Sequence, residues 1–290
     1  MATKGGGVSG GVRGVDGVIS EGIARVIEKR EAEMILATVL SSSRASIIAH
    51  PDRVLSTIEA EKTHAMMTRR AAGEPMAYIL GTREFYGREF MVSPAVLIPR
   101  PETELLVEQA LARLSKHSSA KNRILDLGTG SGAIAVSVAA EHPDTAVTAT
   151  DISAAALAVA ARNAAQHGVQ ISFIQSDWFS GLQGKKFDLI LSNPPYVAEG
   201  DPHLSQGDLR YEPRQALTDQ ALGEQGLAHI RRIVAGAPQH LCPGGWLLFE
   251  HGFDQAMACQ RLLAEGGFLE LVALPDLAGI IRVSGGRIPS

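Results

Sequence analysis

Asn193-Pro194-Pro195-Tyr196 closes a run, Phe187-Asp188-Leu189-Ile190-Leu191-Ser192, that has the pattern of a buried strand. Each proline fixes its own φ and disfavours helical backbone in the residue before it, and neither carries an N–H. The backbone there offers carbonyl acceptors and few donors. An Asn side-chain oxygen beside those carbonyls makes a rigid acceptor pair, suited to the two hydrogens of a planar –NH2 group. Tyr196 adds a flat face for a planar group to pack on. The chemistry these residue types can do is action on an amide or an exocyclic amine. A proline-terminated strand with a capping Asn would account for the same letters, so the tetrapeptide alone leaves both readings open.

A second motif narrows the choice. Arg123-Ile124-Leu125-Asp126-Leu127 reads as a buried strand, Gly128-Thr129-Gly130-Ser131-Gly132 follows at once, and Ala133 to Ala140 reads as a helix. Strand, glycine turn and helix form the first unit of a doubly wound sheet, with a ligand lying on the glycines at the helix N-terminus. Glycine is needed where a side chain would block close approach of the ligand to backbone. Asp151 ends the next strand, Ala146 to Thr150, about 20 residues on, where an acid can hold ribose hydroxyls. Together they indicate an adenosine-containing cofactor without choosing which one. A third strand, Ile171 to Gln175, ends in Ser176-Asp177-Trp178-Phe179, an acid and an aromatic able to take the adenine amine and its face. Three successive strand ends thus carry cofactor chemistry and the fourth carries amine-gripping chemistry, all on one edge of the sheet.

In this order of parts the chain resembles the class I S-adenosylmethionine-dependent methyltransferases, and within them the protein-(glutamine-N5) methyltransferases that modify peptide chain release factors. The resemblance covers most of the chain. It includes Gly73-Glu74-Pro75, Arg83-Glu84-Phe85, Leu97-Ile98-Pro99-Arg100-Pro101-Glu102-Thr103-Glu104, the glycine loop, Ser176 to Phe179, Ser192 to Tyr196, Tyr211-Glu212-Pro213 and Glu250-His251-Gly252. The resemblance implies a Rossmann-like, mostly parallel seven-stranded sheet with a small N-terminal helical domain. It implies S-adenosyl-L-methionine as cofactor, bound by Gly128, Thr129, Gly130, Ser131, Gly132, Asp151, Asp177, Trp178 and Asn193. Asn193, Pro194, Pro195 and Tyr196 become the catalytic set, and the substrate the glutamine of the release-factor Gly-Gly-Gln loop.

The bulk numbers agree with such an enzyme. At 290 residues the chain suits one large α/β domain and a small accessory one, and 45% hydrophobic content suffices for a packed core. A formal net charge of −4 gives no global basic field of the kind many duplex-binding proteins show, so no direct nucleic-acid substrate is expected. The only cysteines, Cys242 and Cys259, form neither a metal-ligand cluster nor a disulfide framework, which suits a reducing cytoplasm; no metal is expected. No stretch has the length and apolarity of a membrane span.

Residues 1–17 are Gly-rich without an apolar core segment and read as a flexible tail, not a secretory signal. Residues 18–80 read as a helical domain. Ile19, Ile23, Val26 and Ile27 keep helical spacing, as do Ile35, Leu36, Val39 and Leu40, and Pro51 suits the first turn of a helix holding Val54, Leu55 and Ile58. Its charged faces, with Arg25, Lys29, Arg30, Arg69 and Arg70, are ordinary solvated surface on the plain reading; the resemblance makes them a substrate-docking surface. Residues 81–99 read as a hairpin linker around Gly87, and 100–290 as the methyltransferase domain. Val197 to Leu222 is a long loop beside the amine-gripping motif, of a length that is usually functional. Two last strands, Phe268 to Leu274 and Gly279 to Ser284, would close the sheet, with Gly285 and Gly286 in a loose tail. Glu250 and His251 read as little more than structural.

Two rivals use the same residues. A nucleic-acid amine methyltransferase would grip adenine or guanine amines, but base-modifying enzymes usually carry a basic recognition region that is missing here. The sister enzymes that methylate a ribosomal-protein glutamine differ only in flanking segments. A non-catalytic cofactor-binding module would leave Asn193 to Tyr196 without a role.

Overall fold

The computed structural model describes residues 14–24, 27–114, 121–221 and 223–290. Residues 1–13 of the expected tail, with Arg25, Val26 and Leu222, lie outside that range. The chain divides into two compact units between Leu80 and Gly81.

The first unit is helical: α1 (Val15–Ala24), α2 (Lys29–Val39), α3 (Arg44–Ala49), α4 (Thr57–Ala71) and α5 (Met76–Leu80). Its core gathers Val15, Val18, Ile19, Ile35, Leu36, Ile47, Leu55, Met67 and Ile79. Two boundaries differ from the sequence expectation. Residues 15–17, read as tail, belong to α1, because Val15 is fully buried and its N–H donates to the Arg53 carbonyl at 3.0 Å. Pro51 lies in a turn rather than opening a helix. The helix starts six residues later because Ser56 and Glu59 close a capping box. In it Ser56 Oγ accepts from the Glu59 N–H at 3.3 Å and Glu59 Oε2 accepts from the Ser56 N–H at 2.8 Å.

The second unit opens with the hairpin β1 (Thr82–Phe85) and β2 (Arg88–Met91). Tyr86 and Gly87, with φ of 51° and 69°, make the two-residue turn whose twist suits paired strands. A 3-10 turn over Pro101–Thr103 leads into α6 (Glu104–Arg113). There follow β3 (Asn122–Leu127), α7 (Ala133–Glu141), β4 (Thr145–Asp151), α8 (Ala154–Gln166), β5 (Ile171–Gln175), β6 (Phe187–Ser192), α9 (Ala228–Gly236), β7 (Leu241–Glu250), α10 (Ala256–Glu265), β8 (Leu269–Pro275) and β9 (Ile281–Arg287).

Seven strands form one sheet in the order β5-β4-β3-β6-β7-β9-β8. The first five in that order run parallel and β9 runs antiparallel to both its neighbours. Both faces are covered, and the strands show it: Leu189 and Leu191 of β6 enter one core cluster and Ile190 the other. Helix α7 is buried from Ala133 to Ala139, which its nearly all-apolar sequence requires. The chain winds outward from β3 through β4 to β5, then returns to place β6 on the other side of β3. Ligands of open α/β sheets bind at that reversal, beyond the carboxyl ends of the strands.

Gly285 and Gly286 are not a loose tail. They sit inside β9, paired with Leu248 and Leu247 of β7. A Cβ on Gly285 would lie 2.3 Å from the Leu247 carbonyl oxygen, and one on Gly286 would lie 2.8 Å from Phe268 Cβ. The pair is glycine because the sheet and α10's connection leave no room for more.

Candidate functional site

A cavity of about 320 Å³ lies at the strand-order reversal. Its walls come from five places in the second unit: the segment Ala95 to Thr103, the glycine loop after β3, the ends of β4 and β5, the turn after β6, and the loop before α9.

The glycine loop is shaped by positive φ at Gly128, Gly130 and Gly132, of 70°, 56° and 81°. Gly132 caps α7 and stands where a Cβ would come within 3.0 Å of Ala160 on α8. A side chain there would push two helices apart. Asn163, fully buried on α8, ties the loop to the hairpin: its Nδ2 donates to the Ser131 carbonyl at 2.8 Å and to the Met91 carbonyl at 3.0 Å, and its Oδ1 accepts from the Met91 N–H at 2.8 Å. The hairpin expected as a linker is thereby fastened against the cavity wall.

Asp151 ends β4 with both oxygens bonded to backbone: Oδ2 accepts from the Gly130 N–H and Oδ1 from the Ser153 N–H, each at 2.9 Å. Burial raises its carboxyl above the usual range, and the hydrogen bonds from Ser153, Gly130 and Ile152 oppose the rise. Each oxygen keeps a lone pair for a hydroxyl in the cavity. Asp126, two residues before the loop, is fully buried; Thr129 Oγ1 donates to its Oδ2 at 2.6 Å, and the Ala135 N–H also favours its charged form. Burial pushes its carboxyl up to about 7.

At the end of β5, Trp178 adopts φ of 50° and lines the cavity, with its ring centroid 5.2 Å from that of His229. Its ring also backs onto Gly128, where a Cβ would sit 3.5 Å away. Asp177 lines the cavity too, but it is exposed and its Oδ2 accepts from Arg232 at 2.8 Å. Burial lowers the His229 imidazole, and the nearby Arg232 acts in the same direction.

After β6, Asn193 and Pro195 line the cavity, whereas Pro194 and Tyr196 do not. Tyr196 packs its ring against the core and donates its hydroxyl to Glu250 Oε1 at 3.0 Å. Asn193 Nδ2 donates to Thr103 Oγ1 at 3.0 Å, and that hydroxyl donates to Glu250 Oε2 at 2.6 Å. Glu250, at the end of β7, is 1% exposed; burial raises its carboxyl, against hydrogen bonds from Thr103 and Tyr196 and the charge of Arg282. The sequence marks Glu250 as structural, and the resemblance implies that the run Pro99 to Glu104, with Thr103, is a wall of the site, which the cavity lining bears out for Pro99, Arg100 and Thr103. The structure puts Thr103 and Glu250 behind Asn193.

The long loop from Val197 to Ala221 is pinned by polar contacts. Glu212, 4% exposed, accepts from the Ile98 N–H at 3.1 Å and pairs with Arg100, which lines the cavity. Burial raises the Glu212 carboxyl and the Arg100 guanidinium opposes it. Gln255 Nε2 forks to the carbonyls of Tyr196 and Gln225, both at 2.9 Å. Arg100 and Glu212 therefore hold the loop's shape, whatever else they touch.

The donor set fits an adenosine-containing group carrying a charged tail. A glycine turn lets a ligand approach the backbone closely at a helix start, a half-buried acid stands one strand away for hydroxyls, and an aromatic face closes the third side. On the acceptor side, Asn193 and Pro195 line the same cavity.

Comparison with known proteins agrees with this arrangement. The family model of the methyltransferase small domain matches residues 101–208, and that of the PrmC N-terminal domain matches residues 24–81. The release factor glutamine methyltransferase of Burkholderia pseudomallei (strain K96243) is 50% identical over 273 residues, which span 92% of this chain and 94% of that protein. Its counterpart from Bordetella pertussis (strain Tohama I) is 51% identical over 263 residues, spanning 90% and 96%. A methyltransferase from Pyrococcus furiosus superposes with a TM-score of 0.54 at 18% identity, over 78% of this chain and 99% of that one, a likeness of fold.

Proposed function

Because this chain belongs to the release factor glutamine methyltransferases and has their class I methyltransferase fold, we propose that it methylates one particular atom. That atom is the side-chain amide nitrogen of the glutamine in the Gly-Gly-Gln motif of peptide chain release factors, and the donor is S-adenosyl-L-methionine. The observation that carries the reading is the placing of Asn193 and the glycine loop on the walls of one cavity at the strand-order reversal.

Gly128 to Gly132, Asp151 and Trp178 would hold the cofactor, with Asp177 at the rim beside Arg232. Bound there, it supplies a sulfonium methyl that needs only an in-line nucleophile. A neutral amide nitrogen is a poor one, since its lone pair is delocalised into the carbonyl. Asn193 Oδ1, on the cavity wall, is the acceptor for one of its N–H groups; the Pro194 carbonyl, expected as the second acceptor, belongs to a residue that does not line the cavity. The Asn193 acceptor fixes the nitrogen's direction and favours the positive charge that grows on it during attack, an interaction stronger in the transition state than in the ground state. Tyr196, anchored by Glu250, stiffens the turn from behind.

Among the described residues no helix is long and apolar enough to cross a membrane. We place the enzyme in the cytoplasm with its release-factor substrate. The helical unit from Val15 to Leu80 is the proposed docking domain, with 81–99 the hairpin and 100–290 the catalytic domain.

The cofactor assignment predicts that Asp151→Ala weakens S-adenosylmethionine binding about tenfold or more, the loss of one or two hydrogen bonds to a charged group. Calorimetry showing unchanged affinity would remove Asp151 from the cofactor site. The substrate assignment is tested by methyl transfer from labelled S-adenosylmethionine to a purified release factor, beside its Gly-Gly-Gln→Gly-Gly-Ala variant and unmethylated DNA. Label on the unaltered factor alone is expected. Equal label on the variant, or label on DNA, overturns the substrate and points to other side chains or to nucleobases.

A further inference from the structure

An asparagine amide has two ends of nearly equal shape and opposite hydrogen-bonding character, so whatever fixes its rotation decides what Asn193 offers the cavity. A threonine hydroxyl has one proton. At Thr103 that proton goes to Glu250 Oε2, 2.6 Å away, and the other oxygen of the same carboxyl takes the Tyr196 hydroxyl, so both oxygens act as acceptors. The Thr103 oxygen is then left with lone pairs alone toward Asn193. It can accept from Nδ2, at 3.0 Å, but can donate nothing to Oδ1. The rotation with the amino end turned to Thr103 is satisfied, and the opposite rotation sets two oxygens against each other. Thr103 and Glu250 are 4% and 1% exposed, so water does not offer the opposite rotation a substitute partner.

We propose that Glu250 and Thr103 form a positioning relay that locks Asn193 with Oδ1 toward the substrate, making the site an acceptor for a primary carboxamide and hostile to a carboxylate. This rests on the reading of Asn193 given above and deepens it. The second oxygen of the same carboxylate takes the Tyr196 hydroxyl at 3.0 Å. One buried group thus braces the gripping tetrapeptide at both ends, Asn193 through Thr103 and Tyr196 directly. Glutamine presents N–H donors to the fixed Oδ1. Glutamate at the same place would present an anionic oxygen to it, so the relay is the device by which the enzyme tells the two apart. Glu250 does not line the cavity and acts through the groups it binds, while Thr103 reaches the cavity wall and its part in the relay is the hydroxyl bond to Asn193.

Four variants test the relay: Thr103→Val, which keeps the shape and removes the hydroxyl, Thr103→Ser, which restores it, Asn193→Ala, and the double variant. Turnover on release factor is read at saturating S-adenosylmethionine, and cofactor affinity by calorimetry. Thr103→Val is expected to lower kcat roughly 10- to 100-fold, within the range for loss of a preorganised polar contact, while cofactor affinity stays within about threefold. Thr103→Ser recovers most of that loss. Combined with Asn193→Ala, Thr103→Val adds less than about threefold, because its effect runs through the side chain already removed.

Normal turnover in Thr103→Val beside depressed Asn193→Ala overturns the relay and leaves the reading of Asn193 standing. Losses that multiply in the double variant also overturn it. Normal turnover in Asn193→Ala overturns both together. If Thr103→Val fails to bind cofactor and Thr103→Ser fails likewise, Thr103 is a structural residue and the relay is wrong.

Discussion

Asn193→Ala is expected to lower methyl-transfer turnover about 100-fold or more, with S-adenosylmethionine affinity little changed. Removal of a single preorganised donor or acceptor at a site of developing charge typically costs about 2.7–4 kcal/mol, and each 1.4 kcal/mol is tenfold in rate. Asn193 meets the conditions for the upper part of that range. It lines the cavity, its amide is held from behind, and the Thr103 hydroxyl and Glu250 carboxylate behind it are shut off from water. The cofactor wall is built from other strands, so the loss belongs in kcat and not in cofactor binding. Single-turnover kinetics with calorimetry on the same variant separates the two, and near-normal turnover would withdraw Asn193 from the acceptor site.

The second large effect belongs to a residue with no side chain. Gly226, at φ 77°, sits against the carbonyl of Tyr196; a Cβ there would lie 2.0 Å from that oxygen and 2.8 Å from Gln255 Nε2. These are the atoms of the Gln255 fork that ties the proline turn to the loop before α9. Gly226→Ala therefore combines a left-handed backbone cost of about 1–2 kcal/mol with overpacking of about 1–3 kcal/mol and a disrupted hydrogen bond of about 1 kcal/mol. A melting temperature about 10 °C lower is expected, by the usual scaling for a unit this size, together with a roughly 100-fold fall in turnover as the turn moves away from the cavity. Gly200→Ala is the control, since Gly200 has φ of 90° but nothing within 4 Å of an added Cβ. Equal losses in the two variants would assign the effect to backbone conformation alone and remove the clash from the account.

The parts of this molecule legible in its sequence are those written within a few residues of one another. Strand, glycine turn and helix occur in one stretch from Arg123 to Ala140, and Asn193 to Tyr196 is contiguous, so periodicity and turn chemistry suffice to place them at strand ends. The relay behind Asn193 has no such local signature. Thr103 lies 90 residues from Asn193 and 147 from Glu250, and only the closing of the sheet brings the three together. Asp177 lines the cavity as the sequence expects of an acid for the adenine amine, but its Arg232 partner comes from α9, 55 residues on, beyond any local window. Gly285 and Gly286 look like a loop because local propensity is all that a glycine pair displays. Their reason is the crowding by Leu247, Leu248 and Phe268, which no window around residue 285 contains. The start of α4 is a different case: its signal, Ser56-x-x-Glu59, is local, and the capping box it closes sets the helix start rather than Pro51.

The order β7-β9-β8 has a consequence for how the chain reaches its native state. β9 leaves the ribosome after both of its neighbours, yet it must enter between them. Until it does, β7 presents an unpaired edge carrying Trp246, Leu247, Leu248 and Phe249, the pattern most prone to pair with another nascent chain. In the native sheet β8 pairs with β9 and leaves that edge to the later strand. A chain stopped short of Ile281 would keep this edge open for as long as it lasted. Gly285 and Gly286, the narrowest pair in the sheet, are what let the late strand slide into a gap already walled on both sides.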